Sequence, residues 1–146
     1  MDKIVPKHDS VERLIEISHY GDHLKRKESE EFRKAKEHLH KEGVLCFIGN
    51  GRCEGGLEVH HNIIEYSAGT EIDINKVQKD YPWFTDVDNE KQMMVLCEKH
   101  HRKPGFGIHK ISYPIWVLQR YMSETALDNF EKAVHKEVKK ESVKHG

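Results

Sequence analysis

The stretch CFIGNGRCEGGLEVHH at residues 46–61, with MMVLCEKHH at residues 93–101, contains the residue types on which the fold of this chain depends. Cys46 and Cys53 stand on either side of a glycine-containing turn, and Cys97 precedes His100 at a C-x2-H spacing. Three thiolates and one imidazole on two turns suit a tetrahedral structural zinc ion. The alternative is that the cysteines are buried, reduced and act as small hydrophobic residues. We expect zinc, because that alternative leaves the neighbouring histidines unexplained.

Both stretches also contain paired histidines. The apolar pattern around His60 and His61 predicts a strand, in which successive side chains point to opposite faces, so only one of the two projects fully into a given site. His101 follows His100 and, on a short helix, points roughly 100° around the axis from it. His109 follows a turn with a proline and two glycines, which can bring it back to the same place. We therefore expect a second site beside the zinc, against the alternative of hydrogen-bonded structural histidines.

Helical patterns precede this central region. The segment from Asp9 to Glu42 predicts two helices, and a possible capping box at Asp9 begins the first, which carries apolar residues on one face at positions 11, 14 and 15. Gly43 stands where a glycine commonly follows the end of a helix. The apolar face of the second predicted helix consists of Leu24, Phe32, Ala35 and Leu39.

The second half of the chain predicts one more strand and two more helices. An apolar run at residues 93–96 indicates a strand that leads into Cys97. Pro114 suits the first turn of a helix, and Ser123 marks the start of another. We therefore predict a helix-rich α+β fold in a single domain, residues 1–146. A helical pair at 1–43 and C-terminal helices at 111–146 flank a zinc-stapled core at 44–110.

Composition narrows the functional classes. The chain has 146 residues, of which 34% are charged, and a formal net charge of -1, so binding of nucleic acid would require a local basic patch. Its three cysteines are an odd number, which argues against a disulfide scaffold. The chain has no apolar run near the ~20 residues that a membrane span needs. We expect a protein without a membrane partner, located in the cytoplasm.

The order of these residues resembles the HNH endonuclease family. The resemblance rests on LEVHH at residues 57–61, VLCEKHH at residues 95–101 and the later His109, and it covers about Val44 to Lys110. Within the family, the chain is similar to the variant with a doubled histidine in the first motif, as in some phage-encoded recombination nucleases. The resemblance implies a ββα-metal core, in which the first strand, the second strand and a following helix carry the motifs.

The resemblance also implies a role for each matched residue. It implies that His61 is the general base and that His60 and His101 bind a catalytic divalent ion. The family's last histidine falls at Gly105 here, and His109 is expected to take its place after a four-residue insertion. The structural zinc set matches Cys46, Cys53, Cys97 and His100.

A further family position is an asparagine, five residues before the cysteine of the last motif. Gln92 occupies that position, and Asn89 is the alternative. Either amide can orient the imidazole of the general base through its side-chain carbonyl.

Hydrolysis of a phosphodiester needs these residue types. A neutral imidazole can take a proton from water near neutral pH, and a divalent ion can stabilise the charge on phosphate and leaving oxygen. Imidazole ligands favour Mn²⁺, Ni²⁺ or Zn²⁺, although availability can favour Mg²⁺. The segment from residue 99 to 110 contains no acidic residue, and its cations are the predicted phosphate contacts: Lys99, Arg102, Lys103 and Lys110.

We therefore predict a metal-dependent endonuclease that acts on nucleic acid, with DNA as the favoured substrate. The alternative is a non-catalytic zinc-stabilised module that binds nucleic acid or a protein partner, in which zinc serves folding only.

Overall fold

The computed structural model of the protein describes residues 3–23 and 28–145, with side chains up to residue 141. This part of the chain contains helices and one two-stranded antiparallel sheet, which confirms the expected mixed class. None of the described helices has the length and apolar character needed to cross a bilayer. In chain order, the elements are α1 (Glu30–Lys41), β1 (Leu57–His61), α2 (Ile74–Asp80), β2 (Met93–Cys97), α3 (Glu98–Arg102), α4 (Tyr113–Tyr121) and α5 (Glu124–His145).

The two strands form the centre of the core. In the antiparallel register Val59 lies opposite Val95, and both pack against Phe32 of α1. Side chains alternate between faces along a strand, so the neighbouring Leu96 points the other way and packs with Trp116 of α4. The sheet therefore lies between α1 on one face and the cysteine-bearing turn with α4 on the other.

Helix α1 has well-defined start and stop signals. The hydroxyl of Ser29 accepts a hydrogen bond from the backbone N–H of Phe32 at 3.0 Å, which caps the N-terminus. After the last turn, Gly43 adopts φ +68°, a left-handed conformation that glycine reaches without steric cost. The predicted end of this helix at Gly43 is confirmed. Leu24, which the prediction placed on the same helix, lies outside the described residues.

The N-terminal helical pair is not formed, and this prediction was wrong. Residues 3–23 have no helix in the structure, and the segment from Asp9 runs as an irregular chain. Its apolar residues do not pack against the described core: Leu14 is 70% exposed and Ile15 is 92% exposed. A short helix in water is marginal unless packing stabilises it, so the local pattern alone does not form one. One helix, α1, therefore precedes the core in the described chain.

The C-terminal helical pair is present as predicted. Pro114 lies in the first turn of α4, and the Ser123 hydroxyl accepts from the backbone N–H of Ala126 at 3.1 Å at the start of α5. The indole N–H of the buried Trp116 donates to the carbonyl of His100 at 2.8 Å. Helix α4 thus fixes the short helix α3, which carries the second pair of histidines.

Candidate metal centre

The first candidate site is the cluster of three cysteines and one histidine. The Sγ atoms of Cys46, Cys53 and Cys97 lie 3.8, 3.7 and 3.2 Å from Nδ1 of His100. All four ligand atoms lie within 4.8 Å of one another. In a tetrahedral zinc site with bonds of about 2.3 Å to sulfur and 2.0–2.1 Å to nitrogen, a sulfur and a nitrogen stand about 3.6 Å apart. The cluster can therefore hold a metal ion such as zinc.

Local backbone geometry produces this convergence. Cys97 is the N-cap of α3, and its Sγ accepts from the backbone N–H of His100 at 3.5 Å, so the C-x2-H spacing spans the first turn of that helix. Gly49, at φ +46°, turns the chain beside Cys46, whose sulfur accepts from the backbone N–H groups of Ile48 and Gly49. The two turns face each other because the backbone N–H of Phe47 donates to the carbonyl of Val95 in β2.

The pKa values of two of the thiols, Cys46 and Cys53, shift in opposite directions. Burial by itself raises the pKa of Cys46, but hydrogen bonds from His100 and from backbone N–H groups outweigh it and lower that pKa to about 6. Partial burial of Cys53, with the charges of Cys46 and Cys97 beside it, raises its pKa to about 12. Like charges at this range repel, so three thiolates require a compensating cation. The donor set therefore suits a divalent ion, since ligation and deprotonation go together.

The second candidate site consists of three imidazoles. Ring centroids of His60 lie 5.2 Å from His101 and 4.9 Å from His109, and those of His101 and His109 are 4.8 Å apart. The Nε2 atoms of His101 and His109 are 3.1 Å apart. Two nitrogens bound to one ion at 2.0–2.1 Å stand about 2.9–3.4 Å apart for angles between octahedral and tetrahedral. These histidines form the second group of described residues that could hold a metal ion.

Burial and the neighbouring imidazoles favour the neutral form of His60. Burial and the charges of His109 and His101 lower the pKa of His60 to about 3. Burial and the charge of His101 likewise lower the pKa of His109. A neutral imidazole has a lone pair available for a metal, so the triad is suited to ligation at neutral pH.

Glu58 orients one imidazole of the second site, that of His101. Its Oε1 lies 2.9 Å from Nδ1 of His101, and Arg102 holds both carboxylate oxygens with two hydrogen bonds of 3.0 Å. A carboxylate accepts only, so the Nδ1 of His101 is the donor and its Nε2 is left for a metal. Burial raises the pKa of Glu58, but Arg102 and His101 outweigh it and lower that pKa, which keeps the carboxylate charged.

The turn after α3 returns His109 to the triad. Its backbone N–H donates to the carbonyl of His101 at 3.2 Å, so the chain folds back over the helix. Gly107 permits this approach, because a Cβ there would lie 2.6 Å from the backbone nitrogen of Arg102. Gly105, where the family pattern places its histidine, has φ +84° and faces Val134 too closely for a side chain. The structure thus brings His109, rather than position 105, beside His101.

The predicted general base lies on the other face of β1. His61 stacks on Phe32 with ring centroids 5.0 Å apart and an interplanar angle of 15°, and only 8% of the residue is exposed. Its Nε2 lies 3.0 Å from Oδ1 of Asp88. The expectation that His60 and His61 point to opposite faces is thereby confirmed. His61 does not belong to the triad. It is linked to the triad only as the neighbour of His60 at the end of β1.

The two amides expected to orient His61 are used elsewhere. Gln92 is buried, its Oε1 accepts from the backbone N–H of Ile64 at 2.9 Å, and its Nε2 donates to the carbonyls of Ile64 and Val87. Asn89 accepts from the backbone N–H of Lys91 at 2.9 Å and caps a 3₁₀ turn. Both side chains therefore hold the loop that precedes β2, and the orienting contact at His61 comes from Asp88.

Lys99 lies in the interior rather than on a phosphate-contacting surface. It is 5% exposed, and its Nζ contacts Glu131 at 2.8 Å and Glu54 at 3.1 Å. Arg52 joins the same network through Glu131 at 3.1 Å and Asp128 at 2.8 Å. The network ties the cysteine-bearing turn and α3 to α5, so its role is structural.

The other cations of the predicted patch differ in their surroundings. Arg102 pairs with Glu58, and Lys103 pairs with Glu54 at 3.3 Å. Lys110 is exposed, and its charge is close enough to lower the pKa of His109. The stretch from 99 to 110 has no acidic residue of its own, yet folding places beside it Glu54, Glu58 of β1 and Glu131 of α5. Lys110 is thus the cation of this group that is best placed for an anionic ligand at the triad.

The sequence analysis did not identify two residues that orient histidines of the site, Glu58 and Asp88. Glu58 lies two positions before His60 on the same strand, so the strand period of two already places it on the face of the triad. Asp88 has no such signal, because it lies 27 positions from His61 in a loop and reaches it only through the tertiary fold.

Comparison with known proteins returns no match for this chain among family models, curated proteins or solved structures.

Proposed function

We propose that the protein is a metal-dependent endonuclease of the HNH type that hydrolyses phosphodiester bonds in nucleic acid, with DNA favoured. The observation that carries the proposal is the triad of His60, His101 and His109, whose ligand atoms lie within 4.8 Å of one another beside a separate cysteine cluster. A module that uses zinc for folding alone has no need of a second set of ligands. The pairing of β1 with β2, and the helix α3 that directly follows β2, support a ββα-metal core in which α2 is inserted between the strands.

The two clusters suit different tasks. The cysteine cluster joins two chain segments, with Cys46 and Cys97 buried in the core and Cys53 exposed, as suits a structural zinc site. The triad offers three imidazoles, and His109 is exposed, so a bound ion would keep positions open to solvent. A divalent ion at such a site supplies Lewis-acid stabilisation of the phosphate and leaving oxygen.

The residues of the chain have assigned roles in this proposal. His60, His101 and His109 hold the ion, and Glu58 fixes the ring of His101. His61 takes the proton from the attacking water; its position next to His60 in the sequence and its electrostatic interaction with that ring support this assignment.

A second candidate function is a non-catalytic zinc-stabilised module that binds nucleic acid or a protein partner. It is favoured by the ion pairs of Lys99, Arg102 and Lys103, which engage three of the four cations expected to contact phosphate. The two functions differ in metal content: the module needs one zinc, and the nuclease needs a second divalent ion as well.

The test is cleavage of supercoiled plasmid and of single-stranded DNA and RNA by zinc-loaded protein with Mg²⁺, Mn²⁺, Ni²⁺ or EDTA. His61→Gln, which keeps a polar side chain at this buried position, should lose about 10²–10⁴-fold in rate while its affinity for the divalent ion is retained. His60→Gln should lose affinity for the divalent ion as well. His135→Gln, an exposed position on α5, is the matched control and should cleave as wild type.

Zinc content is the control for folding of these variants, because neither His60 nor His61 belongs to the cysteine cluster. Both variants should therefore retain one zinc ion and their far-UV circular dichroism. Metal-dependent cleavage by His61→Gln at the wild-type rate would contradict the assigned base. A wild-type protein that is inert on every substrate and metal, with a single zinc bound, would establish the binding module instead.

A further inference from the structure

Three side chains surround the His61 ring: Phe32, Tyr66 and Asp88. Phe32 of α1 stacks on its face at 5.0 Å, and the Tyr66 ring lies 6.0 Å away at an angle of 57°. At the edge of the ring, Oδ1 of Asp88 lies 3.0 Å from Nε2. Stacking sets the plane of an imidazole but leaves it free to rotate within that plane. The contact with Asp88 removes this remaining freedom.

Asp88 is itself firmly placed. It is buried, and its second oxygen, Oδ2, accepts from the hydroxyl of Ser29 at 2.7 Å. The same hydroxyl accepts from the backbone N–H of Phe32, which leaves its own hydrogen for Asp88. The backbone N–H of Asp88 donates to Oδ1 of Asp86 at 2.7 Å. The N-cap of α1 and the loop before β2 thus position one carboxylate against one histidine.

The contact selects a tautomer. An ionised carboxylate has acceptors only, so the Nε2 of His61 must be the donor. In a neutral imidazole the other nitrogen, Nδ1, then carries the lone pair that can accept a proton. An orienting carboxylate of this kind holds a catalytic histidine in the productive tautomer and stabilises the imidazolium that forms.

We propose that Asp88 is the positioning residue of the general base: it holds the His61 imidazole in the Nε2–H tautomer, which leaves the lone pair on Nδ1 to accept the proton of the attacking water. The proposal rests on the endonuclease function proposed above. It assigns to Asp88 the role that the family pattern gives to an amide, which Gln92 and Asn89 do not perform in this chain because they bind backbone groups.

Two substitutions at Asp88 separate its functions. Asp88→Leu has a similar branched shape and no acceptor, so His61 loses its partner. Asp88→Asn keeps one acceptor oxygen and is the variant least disturbing to packing. Asp73→Asn, at the N-cap of α2 where Asp73 accepts from Asn75, applies the same chemical change away from the site and is the matched control.

The first readout is the tautomer of His61, measured by long-range ¹H–¹⁵N correlation in zinc-loaded protein labelled with ¹⁵N-histidine. Wild type and Asp73→Asn should show the Nε2–H form, and Asp88→Leu should shift the population toward Nδ1–H. A wild-type His61 in the Nδ1–H form would overturn the proposal, as would an unchanged tautomer in Asp88→Leu.

The second readout is kinetic. For Asp88→Leu, kcat should fall by about 10²-fold or more, with KM and divalent-ion affinity unchanged, and Asp88→Asn should lie between Leu and wild type. If Asp88→Leu fails to fold by circular dichroism, Asp88→Ala, which also removes the acceptor, decides: kcat equal to wild type overturns the proposal. A wild-type protein that cleaves no nucleic acid overturns the endonuclease function and the catalytic role with it. The tautomer measurement still decides whether Asp88 positions the ring, so the two failures are distinguishable.

Discussion

Replacement of Cys97 by serine tests the structural role of zinc with little other disturbance. Cys97 caps α3 through its sulfur, and serine is itself a preferred N-cap, so the cap can persist while the thiolate is lost. The variant loses the ligand closest to His100, at 3.2 Å, and the cluster keeps three donors. The effect on stability then reports chiefly on zinc.

The magnitude follows from linkage. An ion that binds only the folded chain stabilises it by about 2.7 kcal/mol at 100 times Kd and about 4.1 kcal/mol at 1,000 times Kd. In a chain near 150 residues, each kcal/mol shifts Tm by about 2–4 °C, so the loss of zinc should lower Tm by roughly 5–16 °C. EDTA should lower the Tm of wild type by a similar amount and leave Cys97→Ser almost unaffected.

The assay combines elemental analysis of unchelated protein with calorimetry. Leu96→Ala is the control, because Leu96 is buried in the same core cluster and is not a ligand. It should cost about 2–5 kcal/mol through lost packing while one zinc ion stays bound and EDTA still lowers Tm. Wild type without zinc, or a Cys97→Ser variant that keeps one zinc ion per chain, would refute the reasoning.

Two further predictions concern the carboxylates around the site. Glu58→Gln should weaken divalent-ion binding at the triad by about 10–100-fold, measured by calorimetric titration, because it weakens the hydrogen bond that fixes His101. Glu131→Gln should cost about 3 kcal/mol in urea unfolding, since it removes one partner of the buried Lys99, whereas the exposed Glu124→Gln should cost less than about 1 kcal/mol. Burial raises the pKa of Glu131, but Lys99 and Arg52 outweigh it and lower that pKa below its usual 4.5, so its stabilisation is complete above pH 4.5 and fades as pH falls further. The stability difference between wild type and Glu131→Gln should therefore shrink in acid, and a constant difference would contradict this reading.

Part of the candidate site could be predicted because it depends on local geometry. The strand period of two predicts that His60 and His61 face opposite sides, and the structure agrees. The C-x2-H spacing of Cys97 and His100 spans the first turn of a helix, so these ligands converge wherever the helix is placed. The glycine after α1 and the proline in α4 likewise act through their own backbone dihedrals.

Other features depended on segments that are distant in the sequence. Leu14 and Ile15 have helical spacing, but no element of the described chain covers them, and the helix does not form. Lys99 stands in a stretch without acidic residues, yet Glu131 of α5 reaches it from the far end of the chain. A linear charge pattern cannot show this, because folding decides which carboxylates become neighbours.

The sequence by itself determined the ligand types, their local spacing and the class of the fold, because these follow from residue chemistry and from the short periods of helix and strand. Only the tertiary structure decided the partners: Asp88 for His61, Glu58 and Arg102 around His101, and Glu131 for Lys99. The physical reason is that a buried polar group must be hydrogen-bonded or ion-paired by whichever group packing places within about 3 Å. That choice depends on the register and packing of all the elements together.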